Sequence, residues 1–238
     1  MTTASSATGL PFGQNRFLQA LCAAMGLVLL ASAWHSVQAF DWWLESALAL
    51  VFLMVLACTY RKLALSDLSY LLIFIFIGLH EWGAHHKYAS VPLGEWMKPW
   101  FGTTRNDYDR LMHFAYGLLL AYPMQEWFVR SAGVRNGFRY FLPIQFTLAC
   151  SAVYEILESW TASVLSPAHG QEFVGMQGDI WDAQNDMFVA AIGAALAMAM
   201  LAWVRAREGV PEPAGRPVDR SLHSKESGRP EGESGLRA

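Results

Sequence analysis

The chain has 238 residues, of which 54% are hydrophobic and only 16% charged, with a formal net charge of −3. Apolar usage that high, gathered into blocks rather than alternating, excludes an ordinary soluble globular domain and points to a polytopic membrane protein. The small net charge gives no reason to expect a nucleic-acid partner, and in a membrane protein the placement of Lys and Arg says more than their sum.

Apolar blocks fall at 17–34, 43–60, 65–80, 108–128, 141–160 and 181–204, each near the ~20 residues that cross a bilayer. They predict an all-α fold of six transmembrane helices within residues 16–207, with the lipid bilayer as the obligatory partner. The block 65–80 is the shortest. Residues 1–15, rich in Thr, Ser, Ala and Gly, are expected to be disordered, as is a tail at 208–238 dominated by Pro, Gly, Glu, Arg and Ser. A cleaved signal peptide is the alternative reading of 17–34, but its leading segment is barely basic and its apolar run is long.

Arg16, Arg61, Lys62, Arg130, Arg135, Arg139, Arg205 and Arg207 flank alternate helix ends, whereas the connections 35–42 and 161–180 carry no Lys or Arg. Both termini are therefore expected in the cytoplasm of a bacterial inner (plasma) membrane protein. The connection 81–107 must then be external, although it holds Lys87, Lys98 and Arg105. Its Pro92, Gly94, Trp96, Pro99, Trp100 and Gly102 predict a turn-rich aromatic lid or interfacial segment. Trp34, Trp42, Trp43, Trp82, Trp160 and Trp181 mark the outer interface, and Trp127 and Trp203 the inner one. Cys22, Cys58 and Cys150 show no ligand spacing and read as small apolar residues.

The first two helices read as lipid-facing packing, with Glu45 near enough to Trp42 and Trp43 to snorkel outward. Ser66 is a plausible N-cap for the third helix, which ends in His80-Glu81-Trp82-Gly83-Ala84-His85. That segment misses the HExxH zinc motif by one residue. At 100° per residue His80 and His85 lie roughly 140° apart around a helix and cannot chelate together, while Glu81 and His85 share a face. An interfacial aromatic and His-rich cap is the plainer reading.

In the fourth helix Asp109 and His113 stand at i and i+4, so the carboxylate can orient the imidazole. Thr147, Ser151, Glu155 and Glu158 form a polar seam in the fifth, a pattern that faces protein rather than lipid. Asp179, Asp182 and Asp186 fall at i, i+3 and i+7, sharing one face if the last helix includes them all, and Gly193 and Ala197 below them invite close packing. Helices three and five end outside and four and six begin there, so all these residues fall in one outer layer. Carboxylates crowded there need either protons or a cation.

The segments His80 to His85, Tyr108-Asp109-Arg110-Leu111-Met112-His113-Phe114, and Gly175 to Asp182 with Asp186 resemble the bacterial inner-membrane family typified by YjdF, a domain of unknown function. The resemblance spans about residues 17–204 and implies an integral inner-membrane protein without an established activity. Asp109 with His113-Phe114, a glutamate in the next helix, and Asp182 with Asn185 before Gly193 are more distantly similar to VanZ-like proteins, which are associated with glycopeptide resistance at the cell envelope.

Two functional expectations follow. One is a metal-dependent membrane enzyme acting on an amphiphilic or lipid-linked envelope substrate. In it His113, Asp182, Asp186 and His80 or His85 hold a divalent cation, zinc or manganese by donor chemistry. Glu155 or Glu81 is then the general base, and Asp109, Glu158 and Asp179 support the ligands. The other is a non-catalytic role: a structural polar cluster, an envelope sensor or a proton-linked carrier. An enzyme needs an open position and a substrate groove, whereas a structural cluster is closed and fully paired.

Overall fold

The computed structural model describes residues 11–165, 170 and 176–209; the expectations for the first ten residues, for the tail from 210 onward and for Gly175 lie outside these. Helices α1 (Arg16–Ala33), α2 (Ala39–Thr59), α3 (Asp67–His86), α4 (Pro92–Phe101), α5 (Tyr108–Ser131), α6 (Phe138–Val164) and α7 (Asp182–Glu208) follow in order. No strand occurs among the described residues.

Of these helices, α1, α2, α3, α6 and α7 are long and apolar enough to cross a membrane. The sixth expected span, α5, does not meet that description because Asp109, Arg110, Glu126 and Arg130 dilute it. The reason is its position: α5 packs against α3, α6 and α7 and buries Met112, His113, Gly117, Leu120, Ala121 and Gln125. A helix enclosed by protein need not be apolar all round.

The α5–α7 contact is the tightest in the bundle. A Cβ on Gly117 would stand 1.9 Å from the carbonyl oxygen of Ala190, and one on Gly193 would stand 2.3 Å from that of Phe114. Backbone meets backbone here, as small residues permit in membrane helices. On the other flank of α3, Leu18, Met25, Ala49, Ile73, Ile77 and Leu120 form an apolar core that holds α1 and α2.

Helix ends follow local chemistry. Ser66 caps α3 by accepting from the Ser69 N–H at 3.3 Å, and its own N–H donates to Glu126 of α5 at 2.8 Å. Helix α3 runs on to His86 because its polar last turn faces other helices; only Lys87, at φ 69°, ends it. At the other extreme, Gln177 (φ 45°) and Gly178 (φ 93°) make a turn, so α7 starts at Asp182 and Asp179 precedes it. The three aspartates therefore do not share one helical face. The segment 11–15 is ordered: Phe12–Gln14 form a 3-10 turn, and the Asn15 side chain caps α1 through the Leu18 N–H at 2.9 Å.

Helix α4 opens on Pro92 and closes at Gly102, φ 64°. Leu93 packs on Val91, Tyr108 and Met112, while Trp96, Trp100 and Phe101 stand exposed. Trp42, read from the sequence as an interface marker, is covered by protein. It is buried at 7% exposure, and its indole N–H donates to Ser32 Oγ at 3.1 Å.

Candidate functional site

The residues singled out in the sequence gather at one end of the bundle, in two separate groups. The first surrounds His113 on α5. Its Nδ1 lies 3.2 Å from Ser151 Oγ of α6, and its Nε2 lies 3.2 Å from Glu155 Oε1 and 3.8 Å from Asp109 Oδ1. Ligand-type atoms of Asp109, His113 and Asp186 all fall within 4.8 Å of one another. The seam on α6 faces inward as its pattern required, with Thr147, Ser151 and Glu158 buried. If Nδ1–H donates to Ser151, Nε2 keeps its lone pair toward the acids, the tautomer a metal ligand needs.

Charge in this group does not balance. Asp186 has Arg110 Nε at 3.4 Å, but Asp109 and Glu155 have only His113 as an ion-pair partner among the described residues. The Glu155 side chain is nine-tenths buried, and its Oε1 makes no hydrogen bond although it points at the imidazole. An orphaned buried carboxylate oxygen is costly.

Asp182 is engaged differently from expectation. Its Oδ1 is held at 2.5 Å by Arg105 Nη1 and at 3.0 Å by Arg110 Nη2. Arg105 also pairs with Asp107 at 2.9 Å, and Arg110 with Asp179 at 3.0 Å. With two guanidinium groups on its Oδ1, Asp182 serves the ion-pair lattice that ties the loop before α5 to the start of α7. The Trp181 N–H and Arg110 hold the Asp179 carboxyl below its ordinary value of 3.8. Its contribution to folding is therefore present at neutral pH and lost only as pH falls through that depressed value. Asn106 and Gln177 add reciprocal bonds of 2.8 and 3.1 Å between the same two segments.

The second group lies between α1, α2 and α3. Glu81 is fully buried, its Oε2 accepting from Ser32 at 2.6 Å and Ser46 at 3.1 Å. His85 Nδ1 meets the Ser32 carbonyl at 2.8 Å, so Glu81 and His85 do share a face, and that face is turned to α1. His80 uses both nitrogens, Nε2 toward the Glu45 carbonyl at 3.2 Å and Nδ1 toward the Tyr88 hydroxyl. Burial pushes the Tyr88 phenol well above its ordinary value, so Tyr88 donates and His80 carries its proton on Nε2. His80, His85 and Glu81 thus have partners of their own, and none belongs to the group around His113. Glu45 is not turned outward: its Oε2 accepts from Tyr154 of α6 at 3.1 Å, which links α2 to the wall beside His113.

Sequence reasoning missed Arg105 and Arg110 as partners of the aspartates, and Ser32 and Ser46 as partners of Glu81. The one available signal was the presence of small hydroxyl residues inside the otherwise apolar α1 and α2. The three cysteines are free, as expected.

A bundle of long apolar helices with a buried polar cluster at one end defines a polytopic membrane protein. The chain belongs to the family described as "Predicted membrane protein (DUF2238)", whose model matches residues 17–207. It is 35% identical over 183 residues to "Inner membrane protein YjdF" of Escherichia coli (strain K12), covering 76% of this chain and 87% of that protein. No solved structure matches it.

Proposed function

We propose that the group around His113 is a divalent-cation site in a bacterial inner-membrane protein whose chemistry is directed at an amphiphilic substrate. Asp109, His113 and Asp186 are the ligands, and Glu155, beside the imidazole, is the general base. The observation that carries this reading is the buried, unbonded Oε1 of Glu155 facing His113 Nε2. A carboxylate oxygen so placed beside Asp109, His113 and Asp186 supports a site with room for a bound water or ion. Mixed imidazole and carboxylate donors suit zinc or manganese, and such an ion would supply Lewis acidity. Asp182 leaves the ligand set because two guanidinium groups already occupy it; His80, His85 and Glu81 leave it because their partners lie elsewhere.

In this reading α5 is the sixth span and both termini are cytoplasmic. The placement of Arg16, Arg61, Arg130, Arg139 and Arg205 at the helix ends opposite the cluster supports that orientation. Bonds among those same ends, Asn15 to Asp67 and Ser66 to Glu126, support their lying side by side.

Metal content of the gently purified protein tests the proposal. Wild type is expected to carry a near-stoichiometric transition metal, lost in His113→Ala and Asp186→Ala and kept in His85→Ala. A metal-free wild type, or equal loss in all three variants, would leave the cluster as a structural or proton-linked one.

A further inference from the structure

Glu155 has a second exposure. Between α6 and α7 lies an open groove of about 320 Å³, lined by Ala152, Glu155, Ile156, Ser159 and Trp160 on one side and Ala183 and Met187 on the other. Its volume is at the low end of the ~300–1,000 Å³ typical of ligand sites, enough for part of one molecule. Along α6 the lining runs from Ala152 through Glu155 and Ile156 to Ser159 and Trp160 at the outer end, with Ala183 and Met187 opposite on α7. From 152 to 160 it follows the helix for roughly 12 Å at ~1.5 Å per residue.

Its surroundings fix what can enter. Val153, Ile156, Leu157, Phe188 and Ile192 are all exposed on the same two helices, and both helices are apolar enough to cross a membrane, so the groove opens onto a flank that faces hydrocarbon. The aqueous end is crossed by ion pairs and hydrogen bonds. There Arg105 and Arg110 clasp Asp179 and Asp182, and Asn106 and Gln177 bond to each other.

We propose that the α6–α7 groove takes one hydrocarbon chain of a bilayer amphiphile sideways from the membrane, seating that molecule's polar linkage at Glu155. The chain lies along Ala152, Ile156 and Met187, and the head group rests by Ser159 and Trp160, where an indole ring suits the interface. Among the described residues Glu155 is the one acid lining the groove, and its Oε1 faces His113, so it joins the lipid-facing entrance to the buried cluster. The inference rests on the cation-site reading only for the chemistry that follows; occupancy of the groove is independent of any ion.

Full-length protein in phosphatidylethanolamine–phosphatidylglycerol vesicles, doped with a phospholipid bearing a diazirine on its acyl chain, is irradiated and the adducts are mapped by mass spectrometry. Labelling of Ile156 and Met187 well above that of the fully lipid-facing Phe188 is expected. Filling the groove by Ala183→Trp or, separately, Ala152→Phe should abolish this excess and leave Phe188 labelled, with His113→Ala labelled like wild type. Labelling of Ile156 and Met187 no stronger than that of Phe188, or an excess that survives both filling substitutions in folded protein, would overturn the proposal. Excess labelling in a protein that binds no metal would instead refute the cation site alone.

Discussion

Gly117→Leu will separate α5 from α7 and leave protein that inserts poorly or aggregates on extraction. Even Gly117→Ala places a methyl carbon where the Ala190 carbonyl oxygen stands 1.9 Å away, and the obstacle is backbone, which cannot rotate aside. The helices must move apart and give up contacts along their shared length, including Ala121, Ala194 and Met198. Overpacking of this kind costs about 1–3 kcal/mol, or more where relief is blocked. For a chain of this size 3 kcal/mol lowers Tm by roughly 6–12 °C. Gly193→Ala, facing the Phe114 carbonyl oxygen at 2.3 Å, should behave alike. Gly78→Ala, with nothing within 4 Å of the new Cβ, should be neutral. Thermal unfolding in detergent, followed by loss of monodisperse protein, ranks the three alanine variants. A Gly117→Ala protein as stable as Gly78→Ala would mean that the two helices do not meet there.

Arg105→Ala should be the most damaging substitution outside the apolar core. Its side chain is 9% exposed and ion-paired to both Asp107 and Asp182, so removing it strands buried carboxylates. Breaking a buried pair from one side costs about 3–5 kcal/mol. Arg105→Lys should recover only part of this, because Nε reaches Asp107 while Nη1 reaches Asp182, and a single ammonium cannot do both in that geometry. Arg105→Ala combined with Asp182→Ala should cost less than the sum of the two single changes, since each removes the other's unpaired charge. Denaturation of the four variants measures this, and strict additivity would show that the two side chains do not act together.

The membrane class, the helix order and the gathering of chemistry at one end were legible in the sequence. Block length and alternate basic flanks depend on local composition, and Asp109 and His113 are brought together by helix geometry alone. The inward direction of Thr147, Ser151, Glu155 and Glu158 was legible for the same reason. What was not legible depends on rotation and on distant partners. Which acid faces which histidine is set by how α5, α6 and α7 turn about their axes, and that depends on the approach at Gly117 and Gly193. Asp182 could be read as a ligand because Arg105, 77 residues away in the chain, comes from a loop whose course periodicity does not reveal. Asp179 fell out of the helix through a turn at Gln177 and Gly178, one of them a non-glycine at positive φ. The charged residues of α5 are accommodated because that helix packs against α3, α6 and α7.

The most direct test of a cation held by His113 is pulsed electron paramagnetic resonance of the purified protein loaded with Mn²⁺. The expected spectrum carries coupling from an imidazole nitrogen that disappears in His113→Ala and persists in His80→Ala and His85→Ala. Manganese coordinated by water alone, or a nitrogen coupling that survives the loss of His113, would contradict it.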